Sequence, residues 1–117
     1  MSTITRLETS DPRMSQVVVY NGVVYLSGQV DQVETDVEGQ TKAILAKIDE
    51  KLAAAGTDKS KLLNASIWLK DISKDFKAMN KIWCEWVDPN NKPVRATVEA
   101  NLALPSILVE IQIIAAL

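Results

Sequence analysis

Arg95 stands alone in a strand-like run, Pro93-Val94-Arg95-Ala96-Thr97-Val98, and Glu110 interrupts a later apolar run, Ile107-Leu108-Val109-Glu110-Ile111. A charge inside a half-buried run is costly unless it meets a partner. A guanidinium can hold a planar carboxylate through two parallel hydrogen bonds, and a nearby carboxylate can polarise a water. Together the two residues suit capture of a small anion followed by attack of water. The competing reading is an ordinary cross-strand ion pair, which is worth about 0–1 kcal/mol when exposed. Periodicity alone favours the ion pair.

Strand parity sharpens the question. Arg95, Thr97 and Glu99 share one face of their strand, and Leu108, Glu110 and Gln112 share one face of the next. A hairpin folded about Leu102 and Ala103 puts Arg95 opposite Glu110. The pair then lies on the sheet face that carries no helices.

The residues that are missing narrow the chemistry further. The 117-residue chain contains no histidine, one cysteine (Cys84) and four scattered glycines. The usual general base and commonest metal ligand are therefore absent, and no zinc cluster or phosphate-cradling loop is legible. No cofactor is expected. Chemistry must come from Arg, Glu, Asp, hydroxyls, backbone groups and water. Ser27 has no histidine to activate it as a nucleophile. Cys84 reads as an inert packed thiol, and the Asn64-Ala65-Ser66 glycosylation pattern reads as chance.

Composition bounds the rest. The chain is 47% hydrophobic and 24% charged, with a formal net charge of -2. That balance gives no electrostatic reason to bind nucleic acid or an anionic membrane. Residues 1–117 are expected to form a single domain whose core needs no disulfide. No signal-peptide pattern or membrane-length apolar run is legible, so a cytoplasmic location is expected.

The elements that must position these residues follow from local pattern. Gln16–Tyr20 and Val23–Gln29 form a hairpin about Asn21-Gly22, the favoured pair for a type I′ turn. Asp36 caps a helix reaching about Ala55, with Ile44, Leu45, Ile48 and Leu52 on one face and Gly56 as its stop. Lys61–Lys70 reads as a third strand. A second helix begins at Ser73 or Asp75, carries Phe76, Met79, Ile82, Trp83 and Trp86, and ends before Pro89. Strands over Val94–Leu102 and Ile107–Ala116 follow, and a short extra strand is expected near Ile4. The order β-β-α-β-α-β-β predicts an α+β fold with both helices on one face of a mixed sheet. Val17, Val19, Val24 and Leu26 then lack obvious helical cover, which predicts an oligomer.

Three ordered segments carry a resemblance: Ser27-Gly28-Gln29, Asp75-Phe76-Lys77-Ala78-Met79-Asn80, and Pro93-Val94-Arg95-Ala96-Thr97-Val98-Glu99 with Leu104-Pro105 and Val109-Glu110-Ile111. On these the chain resembles a divergent member of the RidA/YjgF family of reactive-intermediate deaminases, over nearly its whole length. The resemblance implies a chorismate-mutase-like fold and a homotrimer with clefts between subunits. The implied reaction is hydrolysis of 2-imino or enamino acids to 2-oxo acids and ammonia, without metal or organic cofactor. Arg95 matches the arginine that binds the substrate carboxylate, and Glu110 the carboxylate that positions or activates water. Ser27 and Gly28 match the strand end bordering the cleft, Thr97 stands where many relatives have Cys, and Asn80 matches a helix asparagine near the cleft. Met14 occupies a place that is usually aromatic, and the Leu-Pro element lies one position late. Two other readings stay open: a binding protein for small carboxylates without turnover, and the ribonuclease or translation-inhibitor label given to some relatives. The net charge and the lack of histidine weigh against the latter.

Overall fold

A computed structural model describes residues 3–117. Met1 and Ser2, the first two residues of the expected domain, lie outside the described residues. The strands are β1 (Thr5–Leu7), β2 (Val17–Tyr20), β3 (Val23–Leu26), β4 (Leu62–Leu69), β5 (Val94–Glu99) and β6 (Val109–Ala116). The helices are α1 (Val37–Ala55) and α2 (Ile72–Trp86), with a single 3-10 turn at Lys59–Lys61. The six strands form one mixed sheet in the order β1-β2-β3-β6-β4-β5. Both helices pack on one face of it, as the element order predicts.

Local chemistry sets the element ends. Asn21 and Gly22 both take positive φ, so β2 and β3 join through the tight turn expected of that pair. Asp36 caps α1 through a 2.7 Å bond from the Gly39 N–H to its carboxylate. Helix α2 starts earlier than Ser73, because the Asp71 carboxylate accepts from the Lys74 N–H at 3.2 Å. Gly56 ends α1 in the left-handed region at φ 88, with nothing within 4 Å of where a Cβ would sit. Gly56→Ala is therefore a purely conformational test, since no contact is created or lost. It is expected to destabilise the fold by about 1 kcal/mol, read as a lower midpoint in urea at fixed protein concentration.

The core lies between sheet and helices. Ile44, Leu45, Ile48 and Leu52 of α1 and Met79, Ile82 and Trp83 of α2 are buried against Ala65, Ile67 and Leu69 of β4 and Val109, Ile111, Ile113 and Ala115 of β6. Val17, Val24 and Leu26 belong to this core beneath α1 and are not part of an uncovered face, and Val19 packs against its margin. The face that is uncovered carries other residues. Tyr20, Tyr25, Val94 and Val98 are exposed there, beside half-buried Val18, Trp68 and Ile114. Among the described residues no helix is long and apolar enough to cross a membrane.

The last two strands correct the expected hairpin. β5 runs parallel to β4, with Arg95 beside Ala65, whereas β6 runs antiparallel along the other edge of β4, with Glu110 beside Trp68. Parallel neighbours need a crossover, and α2 supplies it between β4 and β5. Once β5 is placed there, segment 100–108 steps over the end of β4 and returns β6 between β3 and β4. The Ala100 N–H donates to the Leu69 carbonyl and the Lys70 N–H to the Leu108 carbonyl, each at 3.0 Å. Fully buried Gln40 holds the same segment, donating to the Ser106 carbonyl at 2.9 Å and accepting from the Leu108 N–H at 2.9 Å.

Candidate functional site

Arg95 sits on the edge strand β5, on the face that carries the helices. Its register partner Ala65 is fully buried there. The guanidinium carbon lies 5.5 Å from the centre of the Trp83 ring. Among the described residues Arg95 makes no ion pair, and its contact is with the indole face. Partial burial lowers its pKa from the ordinary guanidinium value, and nearby Cys84 opposes the shift. Such a group stays cationic, so the site holds an unmatched positive charge. Thr97 points to the same face two residues on, and Asn80 lies one turn before Trp83 on α2. The Thr97 hydroxyl and the Asn80 side-chain carbonyl are both buried without a hydrogen-bond partner. Buried polar atoms are seldom left so; one of these lies on the same strand and face as Arg95, the other one turn before the Trp83 that meets it.

Glu110 belongs to the opposite face. It is half-buried beside Trp68, forms no ion pair among the described residues, and is raised in pKa by burial. Its carboxylate packs on Gly28. A Cβ built at Gly28 would stand 3.0 Å from the Glu110 carboxyl carbon and collide with its Oε2. Backbone bonds between Gln29 and Ile111, at 2.8 and 3.1 Å, hold the two segments together. Next to them the Ser27 hydroxyl donates to the Gln16 side-chain oxygen at 2.6 Å, and Gln29 Nε2 donates to the Ser27 hydroxyl at 2.9 Å. Ser27 is thus a fixed polar rim.

The candidate residues therefore fall into two groups, one with Arg95, Thr97 and Asn80, the other with Glu110, Gly28 and Ser27, each a candidate half-site. They are separated by β4 and face opposite ways, so Arg95 and Glu110 are not the side-by-side pair that a hairpin would give. The cross-strand ion pair fails for the same reason. Grooves on the helical side, including one of about 280 Å³ lined by Leu45 and Trp86, contain neither charge. Met14, 45% exposed, precedes β2 by three residues and stands two before Gln16, the partner of Ser27. Arg13 is exposed and paired with Asp11 at 2.9 Å. Cys84 is exposed rather than packed. Glu99 is not simply solvated, since it accepts from the Ile72 N–H at 3.0 Å. Gln112 donates to the Leu26 carbonyl at 3.2 Å.

Residue pattern alone missed two contributors. Gln40 lies outside the apolar stripe read for its helix, yet it fastens the segment that delivers Glu110. Trp83 reads as core, yet one face of its ring carries Arg95. Helical spacing marks Trp83 as inward-facing, but nothing in the spacing reveals which cation it meets.

The family described as Endoribonuclease L-PSP matches residues 4–117. A RutC family protein from Haemophilus ducreyi is 46% identical over 115 residues, covering 97% of each chain. A RutC family protein from Escherichia coli is 43% identical over 114 residues, covering 97% of this chain and 98% of its own. The crystal structure of a YjgF family protein from Neisseria meningitidis superposes with a TM-score of 0.94 at 42% identity, covering 97% of this chain and 94% of its own.

Proposed function

Because the chain belongs to the endoribonuclease L-PSP family, whose members are also called RutC and YjgF proteins, we propose that it hydrolyses 2-imino and enamino acids to 2-oxo acids and ammonia. The observation that carries this reading is the pair of unmatched charges. Arg95 and Glu110 are each partly desolvated, and among the described residues neither has an ion-pair partner. In a homotrimer that buries the uncovered sheet face, the edge strand of one subunit meets the open face of the next. The two half-sites then close into one cleft.

The chemistry follows from the groups. Arg95 takes the substrate carboxylate through charge-assisted hydrogen bonds of about 1.5–3 kcal/mol each. The imine carbon is held beside a water on Glu110. The carboxylate accepts a proton as the water oxygen bonds to that carbon and passes it to the imine nitrogen, giving a carbinolamine. It then takes the hydroxyl proton as the C=O forms and the C–N bond breaks, and delivers it to the nitrogen, which leaves as ammonia. Imine hydrolysis is intrinsically fast, so positioning and one proton carrier suffice. The test couples an amino-acid oxidase to detection of free imino acid across a panel of amino acids. Accelerated disappearance of the intermediate supports the reading, and no acceleration for any member overturns it. Gly28→Ala in the same assay is expected to lower kcat/KM by about 10- to 100-fold, because it displaces the Glu110 carboxylate rather than the fold.

A second reading, a binder of small carboxylates without turnover, is favoured by Met14. A thioether packs against a ligand but offers no phenolic hydrogen bond to a transition state. Saturable binding with no ammonia release would select it. Ribonuclease activity finds little support in a chain with net charge -2 and no histidine.

A further inference from the structure

Arginines that bind anions are ordinarily aligned by a second carboxylate or by backbone carbonyls. Arg95 has neither among its described contacts, and the feature that meets it is the face of Trp83. We infer that Trp83 is the positioning residue of the anion clamp: its indole face fixes the plane of the Arg95 guanidinium and leaves the N–H donors free for the ligand. The inference rests on the reading that Arg95 binds a carboxylate. A flexible side chain that must be ordered at the moment of binding loses affinity, and one ordered beforehand does not.

The platform is itself anchored. Trp83 is 6% exposed, and its ring lies 5.4 Å from that of Trp86, tilted by 51°. The Trp86 indole N–H donates to the Asp49 carboxylate of α1 at 3.0 Å. Lys59 covers Trp86 at 5.3 Å from its centre. A continuous stack thus runs from α1 through Asp49, Trp86 and Trp83 to Arg95. Its last member, Arg95, makes no ion pair among the described residues, which leaves its N–H donors available to a ligand. A π face suits this task because it attracts the cation without occupying its hydrogen-bond donors.

The experiment uses pyruvate as the probe, titrated by NMR against the full-length protein, Trp83→Phe and Trp83→Leu. The phenyl ring keeps a π face, and the leucine keeps bulk alone. We expect the pyruvate Kd to rise by about threefold or less in Trp83→Phe and by about tenfold in Trp83→Leu. Both variants lose the indole, so both should lose melting temperature, while the larger loss of affinity belongs to Trp83→Leu. A structural role alone would move affinity and stability together. The chain has three arginines, Arg6, Arg13 and Arg95, so their side-chain N–H signals are separable. The Arg95 signal is expected upfield of the others through the ring current, and to lose that shift in Trp83→Leu. Equal affinity in Trp83→Leu and the unaltered protein overturns the inference. If Trp83→Leu does not fold, an unshifted Arg95 signal in the unaltered protein overturns it instead. Absence of any saturable pyruvate binding to the unaltered protein sinks the clamp itself. A ring-current shift seen in that case would still report the stack, so the two failures are told apart.

Discussion

Arg95→Ala is expected to cut kcat/KM for imino-acid hydrolysis by about 10²- to 10³-fold, the loss of two charge-assisted hydrogen bonds to the substrate carboxylate. The same substitution should leave melting temperature unharmed. The guanidinium is partly desolvated without a compensating carboxylate. Removing it relieves a burial cost that offsets the lost contact with the Trp83 face, while the truncated position on edge strand β5 still pairs with Ala65 through its backbone. Loss of activity without loss of stability marks a residue kept for function rather than for folding. The effect should appear in KM as well as kcat, because the carboxylate is bound in both ground and transition states. It is measured in the oxidase-coupled assay, with thermal unfolding at matched protein concentration. Full rates in Arg95→Ala on several imino acids would remove the arginine from the mechanism.

Much of this fold is legible in local pattern, because local forces decide it. Asn21-Gly22 dictates its turn, Asp36 and Gly56 bracket α1, and the apolar stripe Ile44-Leu45-Ile48-Leu52 is the buried one. The pairing of β5 is not legible in the same way. Its local pattern is satisfied equally by a hairpin with β6 or by parallel addition to β4, and the choice is made by where α2 packs. That one non-local decision moves Arg95 to the opposite face from Glu110. Parity predicted correctly that Arg95 and Thr97 share a face and that Glu110 and Gln112 share another.

The same limit explains the site. Arg95 and Glu110 stand out because charges interrupt apolar strands, a signal that survives any register. Trp83 and Gln40 do not stand out, since a tryptophan on a helical stripe and a glutamine near a helix start are ordinary in type and place. Their contacts are made with partners 12 and 68 positions away, Arg95 and Leu108. Cys84 shows the converse: a lone cysteine looks core-bound by type, yet at the position following Trp83 on α2 it faces outward.

Separation of the two charges has a consequence that a single-chain site could not have. Arg95→Ala and Glu110→Gln should each be nearly inert, the second by about 10²-fold through loss of the proton carrier. Mixing the two variants under conditions that exchange subunits should then restore activity. A cleft that takes Arg95 from one subunit and Glu110 from the next is intact whenever an E110Q chain supplies the arginine and an R95A chain supplies the glutamate. Random association at equal ratio makes about a quarter of the clefts whole, so about a quarter of the unaltered activity should return. Mixing either variant with the double substitution should restore none, because one of the two charges is then missing from every cleft. The measurement is activity against mixing ratio, with the optimum expected at equal amounts. Sites built within one chain would stay inert at every ratio, since each chain lacks one group and cannot borrow it. β4 lies between the strands that bear the two charges and turns them to opposite faces. An inert mixture would therefore mean that Arg95 and Glu110 never share a cleft, leaving Arg95 as the anchor of a binding protein and Glu110 outside its chemistry.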